Sequence, residues 1–398
     1  MKILLISDVY FPRINGVSTS IHTLITQLHA LGHEVHLIAP EYHAPQMDET
    51  WIKRVSARHI FFDPEDKLMR YYDILALENE LLQVGYDLIH IHTPFVAHYA
   101  GLKLAKKLNI PVVETYHTFF EDYLHCYLPW MPRWLAKSIA RKLSKRQCNA
   151  VNGVIAPSLP MREVLEHYGV RSNMHVIPTG LTTKNFEYAD GMSFRAKYGI
   201  PWQRPMMLYV GRVAYEKNID FLVRMTAELV KHIPDILFVI TGEGSAEQAL
   251  HQQVQMLGLQ NNIMFIGYLD REQALSACYA AADVFVFASK TETQGLVLLE
   301  AMAQSKPVVA LAQMGTKSIL IEGVGAMIAP EDEVLFALKV KDLLANSELR
   351  QQLCEKAKTY AKYEWSAEKQ TERMLSFYQQ VLQTVKREEQ FFKLKTEH

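Results

Sequence analysis

The sequence predicts an α/β protein of two Rossmann-like domains with parallel sheets. Three observations lead there. Short apolar, β-favouring runs alternate with segments of helical apolar spacing along most of the 398 residues. Many of the runs end in a glycine or a polar turn, the edge at which open α/β sheets hold ligands. A polar, irregular stretch from Thr183 to Gly199 separates two halves that each repeat the alternation.

Composition narrows the function. A net charge of -1 gives no reason to expect a nucleic-acid partner. Cys126, Cys148, Cys278 and Cys354 have neither CxxC nor zinc spacing, which favours a reducing compartment without a disulfide framework. The opening run, Met1 to Asp8, reads as a first strand and is too short for a signal peptide. No run approaches the roughly 18–20 apolar residues of a membrane span, so membrane contact is expected to be peripheral and the location cytoplasmic.

In the first half, Ile3 to Ile6 is a buried strand. Val17 to Leu31 follows with Ile21, Leu24, Ile25 and Leu28 at helical spacing, and Gly32 terminates it. Glu34 to Ala39 is the second strand, completing a βαβ opening. Between the first strand and the helix, Gly16 lets a ligand approach the backbone, but G-x-G-x-x-G is absent and a dinucleotide site is disfavoured. Asp87 to His92 is a strand with His90 and His92 on one face. They read as hydrogen-bonded strand-end residues, because no carboxylate or cysteine stands at metal-ligand spacing. Ile110 to Thr115 is the next strand, and His117 lies just past its end, where such folds do chemistry.

From Pro132, a suitable helix start, Arg133, Lys137, Arg141 and Lys145 recur every four residues, joined by Lys142 and Arg146. Trp134, Leu135, Ile139 and Leu143 take another side, and no acidic residue interrupts the run. A basic amphipathic helix of this kind suits an anionic bilayer surface; a solvated basic face is the plainer reading. Val151 to Ser158, a helix from Met161 to Tyr168, and a strand from His175 to Gly180 close the half.

In the second half, Met206 to Val210 is a strand running into Gly211-Arg212 and Lys217-Asn218. Two cations at a strand-to-helix turn suit a diphosphate. Ile236–Ile240 and Ile263–Ile266 are further strands, each followed by a glycine. Asp283 to Ala288 leads through Ser289-Lys-Thr-Glu292-Thr293-Gln294-Gly295 into a helix from Leu296 to Ala303. The N–H groups of Gly295 and Leu296 can hold phosphate at that helix start, between the carboxylates of Glu292 and Glu300. A diphosphate flanked by two polyols, as in a nucleotide sugar, matches the pattern. Pro307–Leu311 and Gly325–Ile328 are the last strands, and from Ser347 the chain is helical and charged, with Lys386 to His398 expected to be loose.

Glu292 and Glu300 resemble the E-x7-E motif of the retaining nucleotide-sugar glycosyltransferases of the GT-B fold, family four. The resemblance implies two Rossmann-like domains facing a central cleft: 1–182, completed by a helix at about 370–390, binds the acceptor, and 183–369 binds the donor. It implies that Glu292 contacts the donor sugar and Glu300 the ribose, with Thr293, Gln294, Gly295 and Leu296 in the same donor-binding loop. Arg212 and Lys217 match G-R-x(4)-K-N and would hold the donor phosphates, Gly267 and Tyr268 would lie beside the base, and Gly16 would cover the diphosphate. His117 would sit near the donor sugar and the reaction centre. The run Tyr116 to His125, with Glu121 and Asp122, is similar to bacterial enzymes that transfer glucose to diacylglycerol. Pro178-Thr179-Gly180 departs from the commoner Pro-Asn-Gly but occurs in that glycolipid branch.

The expectation is therefore a retaining transfer of glucose from UDP-glucose to a membrane diacylglycerol, at the inner face of the cytoplasmic membrane. With no Asp-x-Asp turn, Arg212, Lys217 and helix dipoles replace an obligatory metal, leaving a divalent ion at most as a stimulant. Other acceptors (lipopolysaccharide, phosphatidylinositol, a soluble sugar), a nucleotide-sugar epimerase and a non-catalytic sugar-nucleotide binder are the alternatives.

Overall fold

The computed structural model describes residues 1–42, 49–60, 63–119, 121, 131–270 and 274–396. The chain divides into two compact units, Met1–Gly180 with Ala367–His398, and Leu181–Ser366. Each is an α/β unit around one large parallel sheet.

In the first unit the strands β1 (Lys2–Ile6), β2 (Glu34–Pro40), β3 (Ile52–Val55), β6 (Leu88–Ile91), β7 (Val112–Thr115), β8 (Gly153–Ala156) and β9 (Asn173–Val176) lie in the order β3-β2-β1-β6-β7-β8-β9. All pairs are parallel. The Gly16–Ala30 helix buries Ile21, Leu24, Ile25 and Leu28, and Asn15 caps it by accepting from the Ser18 N–H at 2.9 Å. Polar residues hide what the sequence did not reveal in this half. β3 at the sheet edge and β4 (Ala57–Ile60) are only four residues each, and β5 (Asp63–Met69), which pairs antiparallel with β4, carries Asp63, Pro64, Glu65, Asp66 and Lys67.

In the second unit β10 (Met206–Val210), β11 (Leu237–Thr241), β12 (Ile263–Gly267), β13 (Val284–Phe287), β14 (Val308–Ala310) and β15 (Ala326–Ile328) form the order β12-β11-β10-β13-β14-β15, again all parallel. β10, β11, β13 and β14 are buried along their whole length, as strands covered by helices on both faces must be.

One expectation needs correction. The stretch 183–199 is not irregular throughout: a 3-10 turn spans Thr183–Phe186 and a helix spans Gly191–Lys197, capped by Asp190. Its polarity misled because Arg195 is buried as a structural cross-brace, donating to the carbonyls of Ala281, Pro201, Trp202 and Arg204 and to Asp283. The helix beginning at Ala367 continues to Thr396, through a run free of glycine and proline.

That last helix supplies Met374, Phe377, Tyr378 and Val381 to the core of the first unit, beside Val113 and Ile155. Gly153 of β8 admits it, since a Cβ there would lie 2.6 Å from Cζ of Phe377. Gly153→Ala should therefore overpack this contact and cost about 1–3 kcal/mol. Urea denaturation measures it, and an unchanged midpoint would show that the helix gives way freely.

Candidate active site

The order of the second sheet builds the site. The chain winds outward from β10 to β11 and β12, then returns to place β13 on the other side of β10. The turns after β10 and β13 leave neighbouring strands in opposite directions, and such a switch point is where open α/β sheets form a crevice. Residues 75 apart in sequence meet there: Lys217 Nζ lies 2.5 Å from Glu292 Oε1, both side chains mostly buried. Asn218, in a left-handed conformation, donates to the Ala288 carbonyl at 3.1 Å and ties the two turns together.

The Glu292 turn is also held from behind. The Gly315 N–H donates to the Glu292 carbonyl at 2.8 Å, and a Cβ at Gly315 would fall 2.2 Å from the Thr293 carbonyl oxygen. Only glycine allows the Met314–Ser318 turn to press this closely. Gly295, with φ of 96°, precedes the helix Leu296–Ala303 in the left-handed conformation that glycine favours. Gln294 is buried in the same turn, as are the Ser289 and Thr291 hydroxyls.

Arg212 is half-exposed and pairs with Glu216 at 2.8 Å, so its guanidinium is held on its own turn. Gly267 ends β12, and its carbonyl already accepts from the Gly242 N–H and the Thr241 hydroxyl; Tyr268 beside it is exposed. Glu300 is buried and accepts from the Tyr279 hydroxyl at 2.9 Å, in a small recess with Asn185, Ser276 and Gln304. The structure thus joins Lys217 to Glu292 directly and sets Glu300 one helical turn further in, against Tyr279. Asn218 closes the G-R-x(4)-K-N motif, and its tie to Ala288 adds a role the motif alone did not give it; Gly315 and Tyr279 depend on packing and carry no sequence signal.

In the first unit the switch lies between β1 and β6. Asp8, after β1, accepts from the Thr93 hydroxyl at 2.8 Å and the Ala97 N–H at 2.9 Å, across that switch. Burial pushes its carboxyl up to about 6, against the pull of those hydrogen bonds. Gly16 stands at the first helical position with nothing within 4 Å of a would-be Cβ and no left-handed φ. The local fold does not require glycine there.

Past the end of β7, His117 Nε2 lies 3.1 Å from His92 Nδ1, with the rings stacked 5.4 Å apart. His90 is satisfied at both nitrogens, by the Tyr378 and Thr115 hydroxyls at 2.7 Å each. Burial holds His117 at about 4 and His90 and His92 well below their ordinary value, so all three are neutral at pH 7. Among the described residues no group of three His, Cys, Asp or Glu is arranged to hold a metal ion. A recess here, lined by Ser20, Thr23, His92, Thr115, His117 and Thr179 among others, carries no charged side chain.

The basic helix spans Arg133–Cys148. Its buried stripe is Ala136, Ala140 and Ser144 with Gln147 and Cys148, not the Trp134–Leu143 side; Trp134 is 72% exposed. The acidic residue missing from the run arrives from elsewhere. Glu121 accepts from Arg141 at 2.6 and 3.0 Å, has Lys137 at 3.4 Å, and accepts from the Tyr168 hydroxyl. Burial would raise the Glu121 carboxyl, but Arg141 and Tyr168 outweigh it and hold it at about 2. Two of the six cations are therefore engaged by one carboxylate. Arg133, Lys142, Lys145 and Arg146 are exposed. Asp122, His125 and the rest of 122–130 lie outside the described residues. Among the described residues no helix is long and apolar enough to cross a membrane.

Residues 14–185 match the model of the glycosyltransferase family 4 domain, and residues 192–360 match that of glycosyl transferases group 1. The chain is 32% identical to an alpha-monoglucosyldiacylglycerol synthase of Streptococcus pneumoniae, over 95% of this chain and 85% of that protein. It is 29% identical to the protein of the same name from Acholeplasma laidlawii, over 78% of this chain and 80% of the other. Among solved structures, sucrose-phosphate synthase from Thermosynechococcus elongatus superposes with a TM-score of 0.80 at 21% identity, covering 96% of this chain and all of that one. The Anabaena HepE structure with UDP and glucose superposes with a TM-score of 0.75 at 18% identity, over 96% and 100%. At these identities the two superpositions show a shared fold.

The buried histidines make stability pH-dependent. Their folded pKa values lie below the ordinary 6.5, so the unfolded chain takes up protons first as pH falls. Stability is fully present above about 6.5 and should drop towards pH 4, by up to about 1.4 kcal/mol per pH unit for each histidine. Denaturation at pH 7.5 and 5.5 should show this, with His90→Gln flattening the slope by about one proton. Equal pH slopes in wild type and variant would mean that His90 is not buried neutral.

Proposed function

Because the chain belongs to glycosyltransferase family 4, we propose that it transfers glucose from UDP-glucose to the free hydroxyl of diacylglycerol, with retention of configuration. The second unit binds the nucleotide sugar and the first binds the acceptor. The observation that carries this reading is the Lys217–Glu292 pair at the switch point of the second sheet. The carboxylate accepts from donor-sugar hydroxyls while the ammonium meets the diphosphate beside it. Arg212, on the same turn, and the N–H groups of Gly295 and Leu296 add positive potential where charge grows as the sugar departs. The bond from the anomeric carbon to the phosphate oxygen breaks and the bond to the acceptor oxygen forms on the same face. The acceptor's proton passes to the leaving phosphate. Thr293, Gln294, Gly267, Tyr268, Glu300 and Gly16 complete donor binding, and His117 orients the donor sugar or the acceptor hydroxyl.

Diacylglycerol is favoured over phosphate-bearing lipids by the uncharged lining of the recess at His117, which offers hydroxyls and neutral imidazoles but no cation. Likeness to the two monoglucosyldiacylglycerol synthases supports the same choice. Turnover of UDP-glucose with vesicles containing diacylglycerol tests the whole reading, with phosphatidylinositol and soluble sugars as the competing acceptors. Glu292→Ala should lose more than tenfold in rate, since hydrogen bonds to a charged group are worth about 1.5–3 kcal/mol, while its thermal unfolding stays close to wild type. Normal turnover in that variant would remove Glu292 from the mechanism.

The exposed Trp134 and the cations Arg133, Lys142, Lys145 and Arg146 support peripheral binding to an anionic leaflet on the cytoplasmic side. Each such cation is worth about 1 kcal/mol near the surface. Changing these four to Gln should release the protein from anionic vesicles in co-sedimentation and slow turnover of diacylglycerol, leaving UDP affinity unchanged. Wild-type protein that stays in the supernatant at low salt would point to a soluble acceptor.

A further inference from the structure

The reaction proposed above places His117 near the substrates, and what surrounds His117 bears on how it acts there. Its Nε2 lies 3.1 Å from Nδ1 of His92, and both rings are neutral at pH 7. One of the two nitrogens therefore carries the shared proton and the other accepts it. The remaining nitrogen of His92, Nε2, decides which. It is fully buried and has no hydrogen-bond partner among the described residues. Were His92 protonated at Nε2, that N–H would be a buried donor with no acceptor, a rarer and costlier situation than a bare buried acceptor. Protonation at Nδ1 avoids it. The His92 ring is also pinned, with its centroid 4.0 Å from that of His90 on one side and 5.4 Å from that of His117 on the other. His90 is fixed in turn by the hydroxyls of Thr115 and Tyr378.

We infer that His92 is a positioning residue: it donates from Nδ1 to Nε2 of His117 and so holds His117 as the tautomer protonated at Nδ1. This rests on the reading of His117 given above. The consequence is chemical. The Nε2 lone pair of His117 is tied to His92 and does not serve as a base towards the acceptor hydroxyl. Deprotonation then falls to the leaving phosphate, and His117 acts by orientation.

Nitrogen-15 NMR of the full chain with labelled histidine reads the tautomer directly, the His117 resonances being assigned by their loss in His117→Asn. The expected result at pH 7.5 is a protonated Nδ1 and a bare Nε2; a protonated Nε2 overturns the inference. Kinetics give a second reading. His92→Asn keeps an N–H near the position of Nδ1, whereas His92→Phe keeps the stacked ring and removes the donor. The Asn variant should turn over within about threefold of wild type. The Phe variant should lose at least tenfold in kcat with the KM for the nucleotide sugar unchanged. Equal rates in the two variants overturn the positioning role. The two readings fail separately: undiminished turnover in His117→Ala would remove His117 from the proposed reaction, while the NMR result concerns the ring pair alone.

Discussion

In each large sheet every strand runs the same way, and this parallelism is the constraint from which the site follows. Because the strands share a direction, all their carboxyl ends lie on one edge, and the turns that carry polar groups are collected there without any further device. The order β11-β10-β13 then decides which turns touch. Lys217 and Glu292 meet because β10 and β13 are neighbours in space, although three crossovers separate them in sequence. The backing at Gly315 and the tie from Asn218 to Ala288 fix two turns that, on their own, would have no reason to hold a carboxylate and an ammonium at contact distance.

The two units differ in how charge is placed at these edges. In the second, paired and half-paired charges stand around a helix start, an arrangement that answers a diphosphate. In the first, the groups lining the recess at His117 are neutral: imidazoles that burial keeps uncharged, and a row of hydroxyls. The histidines are neutral for a physical reason that also limits them. Burial penalises the imidazolium, so they hold and orient well but bind protons poorly near pH 7.

Much of this was legible in the sequence where one residue type can do only one thing. The continuous apolar runs at β10 and β13 are wide enough signals to place strands, and a glycine between Glu292 and the next apolar stretch marks a helix start. Period alone was enough for the Gly16–Ala30 helix, whose four buried apolar residues are the four that the spacing selects. Legibility failed where polarity serves the interior or where a partner is distant. Arg195 looks like a loop residue and is a buried brace. The strands β3 and β4 are too short to stand out, and β5 is too charged. Glu121 changes the character of the Arg133–Cys148 helix from outside the helix, and no reading of that helix alone reveals it. The contact of His92 with His117 likewise depends on β6 and β7 being adjacent, not on any spacing within one element.

The last helix has a consequence for how the molecule comes into being. Met374, Phe377, Tyr378 and Val381 fill the core of the first unit against Val113 and Ile155, and Tyr378 is one of the two hydroxyl partners of His90. These residues emerge from the ribosome after the whole of the second unit. Until then the N-terminal 180 residues have an uncovered apolar face on β7 and β8 and a buried histidine that lacks a partner. The first unit to be synthesised is thus the last to be finished, and the order of translation runs against the order of completion.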